Sequence, residues 1–120
     1  MSYTLQFDSA KKLVRVTAEG PESMLSAMES MLSLREHSEF ARGYGILCDL
    51  RQQTFVPDAA QASGLGTLMA GLFYGHKLAF VINDPAHVVG QQMVIAAANS
   101  EVSASVFDDP NSAEAWLVDG

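Results

Sequence analysis

Apolar and polar residues alternate at the start of the chain. Tyr3, Leu5 and Phe7 are interleaved with Thr4, Gln6 and Asp8, and from Leu13 to Glu19 the residues Val14, Val16 and Ala18 alternate with Arg15, Thr17 and Glu19. A period of two marks a strand with one buried face. The short polar segment Asp8-Ser9-Ala10-Lys11 joins the two runs, which together predict an antiparallel hairpin. Gly20-Pro21 ends the hairpin and opens a helix, with Glu22 in its first turn near the positive end of the dipole. From there the period lengthens. Met24, Leu25, Met28, Met31 and Leu32 recur at helical spacing as far as about Glu36, and His37–Arg42 is a polar connection.

The second half repeats a strand-then-helix rhythm. Gly45–Leu50 is an apolar strand running into Arg51, and Asp58-Ala59-Ala60-Gln61 is a capping box of the D-x-x-Q kind. The helix it opens extends to about Phe73 or Tyr74 and is broken at Gly75-His76. Leu78-Ala79-Phe80-Val81-Ile82 is too short for a helix and too continuous for a half-exposed strand, so it predicts a strand buried on both faces. Asp84 then caps a third helix, with Pro85 at its first position, reaching Asn99. Val102–Phe107 is the next strand, again followed by Asp-Pro at Asp109-Pro110, and Asn111–Val118 is a last short helix with Asn111 and Glu114 as its capping box. The order ββαβαβαβα predicts one α/β domain over residues 1–120. Its sheet is mixed and mostly parallel, with the antiparallel hairpin at one end.

Composition narrows the partners. A hydrophobic share of 48 % and a charged share of 18 % in 120 residues suit a single globular core. The net charge of −7, with seven Lys and Arg scattered along the chain, disfavours nucleic acid and anionic membrane. A protein partner with a basic surface fits that charge better. Cys48 is the single cysteine, so no internal disulfide forms. The opening Met1-Ser2-Tyr3-Thr4 has neither the basic nor the apolar region of a secretory signal, and no apolar stretch reaches the roughly 20 residues of a membrane span. The expected location is the cytoplasm.

Candidate chemistry is sparse. Ser63-Gly64-Leu65-Gly66 lies inside a helical segment with no following lysine, so it lacks the strand-to-helix turn of a phosphate loop. Ala60, Gly64 and Gly71 share one helical face, where small residues would let a neighbouring backbone approach closely. Met24, Met28 and Met31 form a soft stripe, expected to pack on the sheet and, with Met69, able to line a site for a small apolar ligand. Cys48, bracketed by apolar residues, reads as inert. His37, His76 and His87 share no metal-ligand spacing, so neither metal nor cofactor is expected. Asp49 and Asp58 fall at or beyond the carboxyl end of the middle strand, where open α/β sheets bind ligands. As an acid–base pair they lack a nucleophile, which leaves capping and loop hydrogen bonding as their roles and predicts a non-enzymatic protein.

With these elements in place the chain resembles the STAS-like superfamily, the fold of bacterial anti-sigma-factor antagonists, and in particular its stand-alone SpoIIAA-like branch, which has structural kinship with CRAL–TRIO lipid-transfer domains. The resemblance spans nearly the whole chain. It is carried by Val14-Arg15-Val16-Thr17-Ala18-Glu19-Gly20, Ile46-Leu47-Cys48-Asp49-Leu50-Arg51, Leu78-Ala79-Phe80-Val81-Ile82, and the closing Val106-Phe107-Asp108-Asp109 with Ala113-Glu114-Ala115-Trp116-Leu117. It implies a regulatory or protein-interaction module whose partner surface is the helix entrance at Asp58, with Asp49, Gln61 and Ser63 nearby. The lipid-transfer kinship implies the apolar ligand as an alternative. Regulatory members carry Asp-Ser-Ser-Gly at that entrance, and here Ala59 and Ala60 stand where the serines would sit. Alanine has no hydroxyl to accept phosphate, and Ser63 lies about one turn further on, so the resemblance does not extend to a phospho-switch. Homo-oligomers are compatible with such a domain, with the exposed helix faces as candidate contacts.

Overall fold

The computed structural model describes residues 3–20, 24–53, 58–83 and 103–119. Its elements are β1 (Tyr3–Asp8), β2 (Leu13–Gly20), α1 (Met24–Glu36), β3 (Gly45–Gln53), α2 (Ala59–Leu72), β4 (Leu78–Val81), β5 (Ala104–Phe107) and α3 (Pro110–Asp119). The expected helix from Pro85 to Asn99, with Asp84 as its cap, lies outside the described residues, as does His87.

The strands form one five-stranded sheet in chain order, β1-β2-β3-β4-β5. β1 and β2 are antiparallel, pairing Tyr3 with Ala18 through Asp8 with Leu13. All later neighbours are parallel. At the hairpin turn the Lys11 amide donates to Asp8 Oδ1 at 3.1 Å, and Lys12 takes the left-handed conformation, φ 52°. The same conformation at Gly75, φ +87°, turns the chain out of α2 towards β4, where glycine has no Cβ to clash.

Strand alternation sorts the core into two layers. Val14, Val16, Ile46, Cys48, Leu78 and Phe80 face α1 and α2, where Met31, Leu34, Leu65, Met69, Ala70 and Phe73 meet them. Leu13, Leu47, Ala79 and Val81 face the other way and pack under Ala113 and Leu117 of α3. β4 is buried along its whole length, as a strand covered on both faces must be. α3 sits close to the sheet because small residues line its contact. A Cβ built on Gly45 would come within 3.1 Å of Leu117 Cδ2.

Some element boundaries differ from the sequence expectation. β3 runs on to Gln53 rather than ending near Leu50, and β5 begins at Ala104, with Ser103 outside it and Val102 beyond the described residues. α3 is capped by Asp109, not Asn111. Asp109 Oδ1 accepts the Ser112 amide at 2.9 Å, and its Oδ2 accepts the Ser112 hydroxyl at 2.8 Å. Pro110 thereby takes the first helical position, and Glu114, the expected box partner of Asn111, is drawn to Lys11 and Arg15 instead.

Candidate interaction surface

The acids singled out in the sequence lie on two sides of the sheet. Asp49 alternates with Cys48 in β3, so its side chain joins the α3 side, where the residue is only 7 % exposed. There Arg51 grips it with both arms of its guanidinium, Nε to Oδ1 at 2.9 Å and Nη2 to Oδ2 at 2.8 Å. The Arg51 amide adds a third donor at 3.2 Å. These bonds, above all those from the guanidinium, hold the Asp49 carboxyl below its ordinary range, although burial alone would raise it. Asn83 donates to the Arg51 carbonyl at 3.0 Å, tying the end of β4 to β3. Arg15 and Glu114 extend this polar strip at 3.4 Å, with Lys11 on the far carboxylate oxygen of Glu114. Every acidic oxygen in this strip has a cationic neighbour; Asp49 and Arg51 pair within β3, and Glu114 alone reaches from α3 to Arg15 of β2 and to Lys11 of the hairpin turn.

Asp58 opens α2 on the other side. Its Oδ1 accepts the Gln61 amide at 2.8 Å, while Gln61 Oε1 accepts the Asp58 amide at 3.0 Å, a complete capping box. Asp58 is exposed, and Gln61 and Ser63 are half-buried. Asp58, Gln61 and Ser63 thus share the first turns of one helix, and Asp49 is separated from them by the sheet.

The methionines divide likewise. Met31 and Met69 are buried in the same cluster beneath α1 and α2, whereas the side chain of Met24 lies outside the described residues. Met28 is not in the core as expected. It is 38 % exposed, and beside it Leu25 and Leu32 are 66 % and 46 % exposed. The cause is helical geometry. Ala27, Met31 and Leu34 already fill the face that α1 turns to the sheet, and Leu25, Met28 and Leu32 project about a quarter-turn or more away from it.

The small residues of α2 require a second correction. Ala60, Gly64 and Gly71 receive no neighbouring backbone: all three are exposed, and a Cβ on Gly64 or Gly71 would meet nothing within 4 Å. With Thr67 they form an open trough along the outer side of α2. Leu65, Met69 and Phe73 take the inner side. The informative signal in the sequence was the lack of charge. From Ala59 to His76 no Asp, Glu, Lys or Arg occurs, although one side of this helix faces water. Surface helices ordinarily carry charge on that side.

The remaining chemistry-bearing groups are packed. Burial pushes the Cys48 thiol up to about 12, which keeps it neutral. His37 lies against Phe7, with ring centres 4.5 Å apart, and His76 stacks on Phe40 at 4.6 Å while its Nδ1–H donates to the Tyr44 carbonyl at 2.8 Å. Among the described residues no three His, Cys, Asp or Glu side chains gather to hold a metal ion, and no helix is long and apolar enough to cross a membrane.

No protein-family model matches the chain, and no curated protein matches it in sequence. Its fold does match a solved structure, an uncharacterized protein from the DUF3478 family with a SpoIIAA-like fold, from Shewanella loihica PV-4. The two chains are 14 % identical and superpose with a TM-score of 0.60 over 96 % of this chain and 91 % of the other. Five strands in chain order, a leading antiparallel hairpin and helices on both faces of the sheet give this chain a SpoIIAA-like fold.

Proposed function

We propose that the chain is a non-enzymatic protein-interaction module of the cytoplasm, and that it binds through the outer side of α1 and α2. The observation that carries this reading is the exposure of Leu25, Met28 and Leu32 together, alongside a helix without a charged residue. Single exposed apolar residues are ordinary, but a contiguous group marks a contact surface. The SpoIIAA-like fold accords with a regulatory role, as an analogy of architecture. Asp58 and Gln61 border this surface and set its edge by fixing the start of α2. No hydroxyl stands at Ala59 or Ala60, so the contact is not gated by phosphate at those positions.

The test is cross-linking of the purified protein in its native extract, comparing the parent with Leu32→Glu. Adducts that depend on Leu32, in a variant that still melts like the parent, support the reading. An unchanged adduct pattern removes it.

The buried pair Met31 and Met69 favours a second reading, carriage of a small apolar ligand between the helices and the sheet. Both methionines are covered, so α1 and α2 would have to part to admit it. Native mass spectrometry of gently purified protein should then show a co-purifying apolar molecule, and a clean apo mass counts against it.

A further inference from the structure

β1 forms one border of the sheet. Among the described residues its only strand neighbour is β2, so alternate residues of Tyr3–Asp8 turn their backbone N–H and C=O groups outward. Border strands are ordinarily guarded against further pairing by proline, lysine, a bulge or very short length. β1 has none of these guards. It spans six residues without proline, lysine or arginine, and its pairing to β2 is unbroken, whereas that of β2 to β3 shifts register between Thr17 and Glu19. Tyr3, Leu5 and Phe7 lie on the α1 side. The Tyr3 hydroxyl donates to Ser33 Oγ at 3.0 Å, and Leu5 and Phe7 pack on the core. All three are nevertheless only half-buried, because the described sheet ends beside them.

The order of side chains selects the occupant. Tyr3-Thr4-Leu5-Gln6-Phe7 reads aromatic, polar, leucine, polar, aromatic in either direction. Laid antiparallel against itself about Leu5, the strand sets Tyr3 opposite Phe7, Thr4 opposite Gln6 and Leu5 opposite Leu5. Apolar residues then meet on one face and polar residues on the other. A slip of one residue sets Leu5 opposite Gln6 and Tyr3 opposite Asp8, which mixes the faces. We infer that β1 pairs with β1 of a second copy across a twofold axis at Leu5, joining two five-stranded sheets into one continuous sheet. This edge is separate from the outer side of α1 and α2.

Charge and shape permit this partner. At a net charge of −7 two copies repel wherever acids meet, but Tyr3–Phe7 carries no charge. Asp8, which accepts the Lys11 amide at the turn, falls outside the paired segment. Ser33 lies on the side of α1 next to β1, and helical spacing puts Ser26 and Ser30 on that side too, so small side chains flank the seam. Glu29 and Glu36 are exposed and lie roughly opposite the buried Met31 and Leu34 around α1, away from the sheet. Main-chain hydrogen bonds rather than apolar area supply the affinity, so the dimer is reversible and tightens as salt screens the charge of each copy.

Sedimentation velocity from low-micromolar to sub-millimolar protein, in low and in moderate salt, tests this on the parent and two double variants. Thr4 and Gln6 are exposed in the monomer, so substitution there keeps the fold. Thr4→Lys with Gln6→Lys adds two positive charges, taking the net charge from −7 to −5, but sets lysine opposite lysine twice across the seam. It should weaken the dimer about tenfold. Thr4→Lys with Gln6→Glu keeps the net charge and sets lysine opposite glutamate, so it should dimerise at least as tightly as the parent. Association governed by net charge alone would rank the two variants the other way. A parent that stays monomeric overturns the inference, while the cross-linking test of Leu32→Glu still judges the α1 and α2 contact separately. A dimer on which the two variants do not differ, or differ in the reverse order, overturns it too. So does association that grows past two copies, or a monomer whose β1 pairs with an extended segment of another protein.

Discussion

The two faces of the sheet solve different problems. Under α1 and α2 the sheet offers an unbroken apolar layer from Val14 to Phe80, and the helices above it have apolar residues to spare, left over as Leu25, Met28 and Leu32. Under α3 the apolar layer is small, with Glu114 of α3 adding ion pairs to Lys11 and Arg15 and the Asp49–Arg51 pair lying on the same side within β3. One side is finished within the monomer. The other is overprovided, and the excess faces water. The difference teaches that apolar content alone does not locate a functional surface. What matters is which apolar groups remain after the sheet has taken what it needs.

Four substitutions probe the contrast, beginning with the apolar layer. Phe80→Ala empties a fully buried position facing α1 and α2 and should cost about 3–5 kcal/mol in urea denaturation, much of the stability of a domain this size. If it costs less than Gly45→Val, the ranking of the two faces is wrong. Gly45→Val works from the α3 side, where Leu117 atoms stand 3.1 and 3.2 Å from a Cβ. It should lift α3 and cost about 1–3 kcal/mol.

Asp49→Asn sharpens the comparison through pH. The native carboxyl is held below its unfolded value by Arg51, so its stabilising effect is fully present above about pH 4 and is lost as pH falls through the native value. The variant should therefore show a shallower loss of stability on acidification than the parent. Equal acid limbs would mean that the Arg51 grip contributes nothing to folding. Glu114→Gln is the smallest change. Its partners Lys11 and Arg15 are at least a third exposed, and water and salt screen both pairs. The denaturation midpoint should move by no more than repeat curves differ, in low salt and in high.

Much of the architecture was legible in the sequence because local physics and tertiary packing agree there. The alternation of Tyr3–Phe7 and Leu13–Ala18 is the observed hairpin, Leu78–Val81 is the strand buried on both faces, and Asp58 and Gln61 form the box that their spacing announces. The cap of α3 was harder. Asp109 and Asn111 both suit an N-cap, and the choice fell to a tertiary partner, since Glu114 reaches Lys11 across the fold. The surface was least legible. Helical spacing places Met28 next to Met31 and puts Gly64 and Gly71 on one side of α2, but it does not say which side meets the sheet. Both stripes suggested internal packing; the structure buries Met31 as expected but turns Met28, Gly64 and Gly71 to solvent. Asp49 and Asp58, close in sequence logic at one strand end, part because strand alternation sends Asp49 to the opposite side.

The decisive experiment is the amide correlation NMR spectrum of the isotope-labelled protein before and after addition of unlabelled native extract. Resonances along α1 from Leu25 to Leu32 and along α2 from Ala60 to Gly71 should shift or broaden together, while those of α3 and of Asp49 and Arg51 stay in place. Changes centred on α3, or a spectrum that the extract leaves unaltered, would contradict a contact through the outer side of α1 and α2.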